Sequence, residues 1–244
     1  MRILIVDIET KPSLAYIWSL WDESVPLARL IEAGEMISWA AKWVGDPEVE
    51  FRSVYHDSKK KMVKGIWKLL DEADVVLHFN GKKFDIPHIQ REFLEMELPP
   101  PSPFKQIDLL HTVRSQFRFV SNKLEHVSTE LGLAGKAHND GFALLVRCME
   151  REAKAWEQMK KYNIQDVILL EEMYDRLLPW IKNHPSFAAF NSEDVCTKCG
   201  SDKLERRGYA VLTTGRFQRF QCKDCKSWSR GTKRVDGTNI THIA

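Results

Sequence analysis

An apolar stretch, RILIV at residues 2–6, runs directly into two carboxylates. Its β-branched and leucine residues predict a buried central strand. Asp7 and Glu9 follow in the motif DIET, and residues two apart on a strand point to the same face. The stretch therefore predicts a sheet with both carboxylates directed at one site. Taken alone, the pair also fits a strand end with solvated acids.

A third carboxylate follows another apolar strand pattern, DVVLHF at residues 74–79. Asn80-Gly81 is a turn signal, and the segment from Phe84 to Pro87 predicts the start of a helix, since proline is tolerated in a first turn. Asp85 is thus expected at a junction between strand and helix. By itself, an acid there also fits a favourable interaction with the helix dipole.

A fourth carboxylate lies in a long helical pattern from about Arg151 to Ile181. Tyr162 and Asp166 are four residues apart and share one face of that helix. A phenol one turn from a carboxylate suits a metal ligand with a neighbour that positions water. The alternative is an ordinary amphipathic helix face.

The three motifs are expected to meet at one site, because strand ends and a covering helix converge in an α/β fold. A group of carboxylates without a phosphate-binding glycine loop can hold two divalent cations that promote phosphodiester hydrolysis. An all-oxygen cage suits Mg²⁺ or Mn²⁺. A phenol with its ordinary pKa of about 10 is a poor base at neutral pH. Tyr162 is therefore expected to align water.

The motifs resemble those of a known family. DIET, the Asn-x-x-x-Phe-Asp segment ending at Asp85, and Tyr162-x-x-x-Asp166 are similar to the three motifs of the DEDD 3′–5′ exonuclease superfamily, and the tyrosine resembles its DEDDy branch. FNGKKFDIPHI is similar to the second motif of the proofreading domain in family B DNA polymerases. NKLEHVSTELGL resembles the helix that precedes the third motif there. The resemblance spans about residues 1–182.

The resemblance implies a ribonuclease H-like fold, a mixed sheet flanked by helices. It also implies that Asp7 bridges two metals, that Glu9 and Asp166 hold the metal that activates water, that Asp85 supports the second metal, and that Tyr162 orients the water. The implied activity is a 3′–5′ exonuclease that releases nucleoside monophosphates from single-stranded DNA in replication, repair or proofreading.

Two alternatives stay open at this point. One is the same enzyme acting on RNA, because discrimination depends on contacts to the 2′-hydroxyl. The other is a non-catalytic zinc-ribbon protein that binds nucleic acid or accompanies a polymerase. The grouping of mutually repelling carboxylates argues against the second alternative.

Several residues near the motifs are candidate substrate contacts. They are Thr10, Lys11, Asn80 and Phe84. Trp18 and Trp21 follow the first motif and are able to stack on a frayed base. Packing of an irregular loop is an equally good interpretation of both tryptophans.

The cysteines form a second strong pattern. Cys196-x-x-Cys199 and Cys222-x-x-Cys225 are separated by 22 residues, with the strand-like stretches YAVLTT and RFQRFQC between them. This spacing predicts a structural zinc site in a zinc ribbon, and the alternative is two disulfides. No secretory signal or membrane-spanning run is recognised, so we expect a reducing, cytoplasmic location and no membrane partner. Cys148 is expected to be a buried thiol.

Positive charge is concentrated around these cysteines. Residues 196–244 carry 11 Lys and Arg against 4 Asp and Glu, a balance of +7, which leaves 25 against 30, or −5, in residues 1–195. Candidate phosphate contacts in this part are Arg206, Arg207, Arg216 and Arg219. The alternative is a module whose aromatics form a small core and whose cations keep it soluble. A polymerase or replication protein is a further candidate partner.

The sequence predicts four segments: a nuclease domain at residues 1–182, a linker at 183–193, a zinc ribbon at 194–235 and a tail at 236–244. The apolar fraction of 43% argues against disorder. Further strands are expected in EMISWAAKWV and EVEFRSVYH, and a helix is expected from Lys59 to Glu72. Mostly helices are expected after DVVLHF, with Asp108 capping or starting one of them.

Overall fold

The computed structural model describes residues 1–21, 24–133, 141–190 and 193–236. The chain divides into two compact units, Arg2–Met173, and Tyr174–Ala244 together with Met1. Of the predicted linker, Asn191 and Ser192 lie outside the described residues, as does the predicted tail beyond residue 236.

The first unit contains a mixed sheet, as expected, and this sheet has five strands. The strand order is β5-β4-β1-β6-β7. Strand β1 runs parallel to β6 and antiparallel to β4, and β7 is parallel to β6. The strands of this unit are β1 Ile3–Thr10, β2 Leu14–Ala15, β3 Leu30–Glu32, β4 Met36–Trp43, β5 Glu50–Ser53, β6 Val75–His78 and β7 Lys105–Asp108. Strands β2 and β3 form a separate small hairpin.

Helices cover the sheet. They are α1 Lys59–Asp71, α2 Asp85–Glu95, α3 Leu109–Gln116, α4 Leu124–Glu130, α5 Phe142–Met149 and α6 Ala153–Leu177. Side chains Leu4, Val6 and Ile8 of β1 pack in one apolar cluster with residues of α1 and α2. Because strand side chains alternate, Asp7 and Glu9 point away from this cluster.

A second apolar cluster joins α5 and α6 to the sheet through Ile37 of β4, and it includes Trp156 and Tyr162. An ion pair between buried Lys42 of β4 and Glu171 also ties α6 to the sheet. Glu171 Oε1 accepts a further hydrogen bond of 2.7 Å from the Gly45 amide. A buried charge needs such partners, so this network fixes the position of α6 against β4.

Two elements of the first unit differ from the sequence predictions. Strand β7 lies where mostly helices were expected; its sequence, KQID, places only Ile107 fully in the core and so gives no apolar pattern. Helix α6 is shorter than predicted. It begins at Ala153, after Arg151 with a φ of +62°, and ends at Leu177, because Pro179 cannot donate the next backbone hydrogen bond.

The second unit contains a three-stranded antiparallel sheet. Its strands are β8 Leu204–Leu212, β9 Gly215–Cys222 and β10 Trp228–Asp236, in the order β10-β9-β8. The sequence predicts the first two but gives no signal for β10. Short 3₁₀ turns cover Leu178–Trp180 and Phe187–Phe190.

The end of α6 belongs to this second unit. The Tyr174 hydroxyl lies 2.7 Å from His184 Nε2, and Lys198 Nζ donates to the carbonyls of Leu178 and Pro179 at 3.1 and 2.8 Å. None of the helices in the described ranges is long and apolar enough to span a bilayer.

Candidate active site

Strand β1 places the first two carboxylates. Asp7 and Glu9 lie at its carboxyl end on one face, as the alternation of RILIVDIET predicts. The pairing with β4 shifts register between Glu9, opposite Ser38, and Thr10, opposite Met36. Such an irregularity next to a site can redirect side chains. The strand therefore ends in a local distortion at the carboxylates.

Helix α6 supplies the third carboxylate. One oxygen from each of Asp7, Glu9 and Asp166 lies within 4.8 Å of the other two. Oxygens bound to one Mg²⁺ lie roughly 3–4 Å apart, given bond lengths of about 2.1 Å. Small side-chain movements would therefore let these three carboxylates, here called the carboxylate cluster, share a divalent cation.

Tyr162 lies one helical turn before Asp166 and is almost fully buried. Burial, together with the charges of Asp166, Glu9 and Asp7, raises the pKa of its phenol well above the usual range. The phenol also hydrogen bonds to Asp166. It is therefore protonated at neutral pH and can donate a hydrogen bond, but it cannot serve as a base.

Asn163 is a site residue that the sequence analysis missed. Its Nδ2 donates to Asp7 Oδ2 at 2.6 Å, and its Oδ1 accepts from Ser38 Oγ at 3.2 Å. Asn163 is 0% exposed, so both bonds are shielded from water. The sequence feature that points to Asn163 is a polar residue directly after Tyr162, on the side of the helix that faces the sheet. Asn163 orients one oxygen of Asp7.

Asp85 is the first residue of α2 and is only 5% exposed. Its Oδ1 accepts a hydrogen bond of 3.2 Å from the Ile8 amide, between the two carboxylates of β1. Burial raises the pKa of Asp85 to about 6, against the lowering effect of that bond. Asp85 stands outside the carboxylate cluster.

The turn before α2 has a specific geometry. Asn80 adopts a φ of +67°, and its amide donates to Asp108 Oδ1 at 2.9 Å. A Cβ on Gly81 would lie 2.5 Å from the ring of His78, so only glycine fits this turn. Asp108 also caps α3 through the Leu110 amide, which confirms its predicted capping role.

The five predicted catalytic residues, Asp7, Glu9, Asp85, Tyr162 and Asp166, all line a cleft of about 390 Å³. Asn80 and Phe84, two candidate substrate contacts, line it as well. Sequence reasoning missed Asn122 and Lys123, which line the same cleft before α4. Both residues begin the NKLEHVSTELGL segment, whose resemblance indicates a helix but no contact with the site. Lys123 is the one cation among the described residues that line this cleft.

Thr10 and Lys11 lie beyond the cleft. The Lys11 ammonium forms ion pairs of 2.9 Å with both Glu32 and Glu35, which raise its pKa. The following segment, residues 14–21 and 24–31 around the β2–β3 hairpin, carries Trp18 and Trp21 with 88% and 89% of their surfaces exposed. This exposure argues against loop packing as the role of these tryptophans.

The second unit brings the four predicted zinc ligands together. The sulfur atoms of Cys196, Cys199, Cys222 and Cys225 lie within 4.8 Å of one another. Cys196 and Cys225 are 3.5 Å apart, and Cys199 and Cys222 are 3.7 Å apart. Sulfurs on a tetrahedral zinc ion lie about 3.8 Å apart, given bonds of about 2.3 Å. No disulfide joins any of these four cysteines, and their spacing fits a zinc ion.

Cys148 is a separate thiol in the first unit. It is buried in the α5–α6 cluster, as predicted, and burial raises its pKa to about 11. The residue is therefore a packed, protonated thiol.

The candidate phosphate contacts of the second unit lie in different places. Arg207 and Arg219 lie over the ring of Trp228, at 5.8 and 4.7 Å from its centroid, and Arg216 lies over Tyr209. Arg206, next to Arg207 on β8, lines a groove that the other three arginines do not line. Adjacent strand residues point to opposite faces, so the four arginines do not form one patch.

Comparisons with known proteins agree with this architecture. Residues 33–178, more than half of the chain, match the RNase_H superfamily. This range includes Asp85, Tyr162 and Asp166 and begins after β1. No curated protein matches the sequence.

A solved structure has a similar fold. The family B DNA polymerase from the hyperthermophilic archaeon Pyrobaculum calidifontis matches with a TM-score of 0.54 and 16% sequence identity. The match covers 73% of this chain and 24% of the polymerase, so this chain corresponds to about a quarter of that protein. From the family match and the mixed sheet flanked by helices, the chain belongs to the RNase H superfamily, and its fold supports a nuclease, a hydrolase.

Proposed function

We propose that this protein is a metal-dependent 3′–5′ exonuclease of the DEDDy type that acts on single-stranded DNA. The observation that carries the proposal is the meeting of Asp7, Glu9 and Asp166 within 4.8 Å, in a cleft that Asp85 and Tyr162 also line. These are the residues that the sequence motifs single out, and they come from opposite ends of the first unit.

Each residue has a role that its position supports. Asp7, Glu9 and Asp166 would hold divalent cations, and Asp85 would contribute to a second metal position. Two such cations, Mg²⁺ or Mn²⁺, would activate water and stabilise the charge on the leaving oxygen. The protonated Tyr162 phenol orients the attacking water. Asn80 and Phe84 contact the terminal nucleotide.

Water is the nucleophile that the cleft favours. The described residues that line it include no serine, threonine, cysteine or histidine, the side chains that most often attack directly. Hydrolysis at the last phosphodiester would release a nucleoside monophosphate. A role in DNA replication, repair or proofreading is supported by the similarity to part of a DNA polymerase, and this similarity also favours DNA over RNA.

The second unit is proposed to be a zinc ribbon at residues 194–235, joined by the linker at 183–193 to the nuclease domain at 1–182. Its four cysteines would hold one structural zinc ion as thiolates, and reduced cysteines fit a reducing cytoplasm. Metal analysis of the purified chain is expected to find one zinc that remains after dialysis against Mg²⁺. A polymerase or replication protein is the proposed partner.

The test of the proposal is cleavage by the full chain with Mg²⁺ or Mn²⁺. End-labelled single-stranded DNA is expected to be cut faster than duplex DNA or RNA. Asp7→Ala and Asp166→Ala should reduce cutting to background while the protein stays folded, whereas Glu48→Ala, at an exposed acid, should cut normally. Full activity in either cluster variant would refute the carboxylate site, and faster cutting of RNA would favour the exoribonuclease.

A further inference from the structure

The second unit contains a groove that the nuclease site does not use. It lies between the β8–β10 sheet and residues 186–188 and 194–197, and its volume is about 640 Å³. Arg206, Arg230, Lys233 and Arg234 line it, and Asp194 is the one acid among its described lining residues. The groove therefore has an excess of positive charge.

Two of these cations are available to an external anion. Among the described residues, no hydrogen bond or ion pair engages the charged ends of Arg206 and Lys233, and both side chains are exposed. Arg207 and Arg219, by contrast, are already engaged by neighbouring residues. Arg207 donates to Gln221 Oε1 at 2.6 Å, Arg219 donates to the Arg207 carbonyl at 3.0 Å, and both lie over Trp228.

The groove also offers an aromatic surface. Phe220 of β9 is half-buried and lies in register between Arg206 of β8 and Ser229 of β10. On β10 its neighbours are small: Ser229, and Gly231, where an added Cβ would lie 3.8 Å from the Phe220 ring. The ring can therefore meet a flat ligand between cationic side chains.

The combination of cations and an aromatic ring in one groove fits a particular kind of ligand. A single strand of nucleic acid presents phosphates to cations and unpaired bases to an aromatic ring, and such stacking tolerates any base sequence. A protein partner with an acidic surface would satisfy the cations but would not need the flat ring. We propose that this groove, here called the basic groove, binds single-stranded nucleic acid, with Arg206 and Lys233 on phosphates and Phe220 against a base.

The test measures binding without cutting. Asp7→Ala full chain, zinc-loaded and without added Mg²⁺ or Mn²⁺, is titrated with a fluorescent oligothymidylate of about 15 nucleotides at several salt concentrations. Because no cleavage is measured, failure of the nuclease proposal would leave this result unaffected. Zinc content and melting temperature of each variant verify that the ribbon stays folded.

Two charge-matched pairs of substitutions locate the site. Arg206→Ala with Lys233→Ala should flatten the slope of log affinity against log salt by about 1.4, since each phosphate contact contributes about 0.7 for single strands. Arg207→Ala with Lys203→Ala removes the same charge outside the groove and should change the slope by less than half as much. Equal losses in both pairs, or an unchanged slope in the first, would overturn the proposal.

The aromatic contact has its own variant. Phe220→Leu keeps an apolar side chain in the sheet and should weaken binding about tenfold at every salt concentration, with the slope unchanged. Duplex DNA of the same length should bind more weakly than the single strand. Wild-type affinity in Phe220→Leu would overturn the stacking contact, and binding of an acidic protein in place of the oligonucleotide would overturn the assigned ligand.

Discussion

Asn163 Nδ2 donates a hydrogen bond of 2.6 Å to Oδ2 of Asp7, and this bond joins α6 to the end of β1 across 156 positions of sequence. The Ser38 hydroxyl donates a hydrogen bond to Oδ1 of the same Asn163 amide. Because the amide engages one oxygen of Asp7, it determines how the second oxygen is presented to the cleft. Asn163 thus acts on the proposed metal site through Asp7.

Asn163→Ala is expected to weaken the affinity for Mn²⁺ by about tenfold, the equivalent of one hydrogen bond to a charged group of about 1.4 kcal/mol. Manganese titration of the folded variant measures this directly. Cleavage should recover when Mn²⁺ is raised to saturation. Gln165→Ala, two residues further along the same helix, is the matched control. Wild-type Mn²⁺ affinity in Asn163→Ala would show that Asn163 has only a packing role.

Tyr162→Phe tests the proposed orientation of water. The substitution removes a hydroxyl that is held protonated by burial and neighbouring carboxylates. We expect kcat to fall about tenfold, the rate equivalent of one hydrogen bond, with cleavage still far above that of Asp166→Ala. The pH–rate profiles of wild type and variant should have the same shape, because the phenol does not ionise in the working range. Loss of an alkaline limb in the variant would indicate that the phenol acts as a base.

Asp85 predicts a pH dependence of stability in the absence of divalent metal. Burial raises its pKa to about 6, which means that the folded protein favours the neutral carboxyl. The contribution of this group to stability is therefore fully present below the unfolded pKa of about 4 and is lost as the pH rises through 6. Asp85→Asn should therefore raise the free energy of unfolding at pH 7.5 in chelator by on the order of 2 kcal/mol, with a higher melting temperature, and this gain should disappear near pH 4.

The control for this pH effect is Glu48→Gln, at an exposed acid. It should leave the pH profile of the melting temperature unchanged. Added Mg²⁺ should stabilise wild type more than Asp85→Asn, since the neutral amide is a weaker ligand. If Asp85→Asn had the same pH profile of melting temperature as wild type, this would contradict a raised pKa at Asp85.

The exposed tryptophans predict a contrast in stability. Trp18→Ala and Trp21→Ala should each change the free energy of unfolding by no more than about 0.5 kcal/mol, because almost nothing packs on these side chains. Trp39→Ala, at a tryptophan with 0% exposure that donates to the Met62 carbonyl, should cost about 3–5 kcal/mol. Urea unfolding checks all three. A cost above 2 kcal/mol at Trp18 would mean that it packs in solution.

The carboxylates could be predicted from sequence because their signals are local. The alternation in RILIVDIET directs Asp7 and Glu9 to one face, and the helical period joins Tyr162 to Asp166. Asn163 could not be predicted, because its partner is distant in sequence and an asparagine in a helix is usually a surface residue. The exposure of Trp18 likewise depends on tertiary structure, since an aromatic residue after a strand fits packing and binding equally well.

The most direct test of the central claim is the polarity of cleavage. One single-stranded oligodeoxynucleotide is labelled at its 5′ end or at its 3′ end and is followed over time with Mg²⁺, beside a circular single strand. A 3′–5′ exonuclease should shorten the 5′-labelled strand stepwise, release the 3′ label at once as a mononucleotide, and leave the circle intact. Efficient cutting of the circle, or release of mononucleotides first from the 5′ end, would contradict the account.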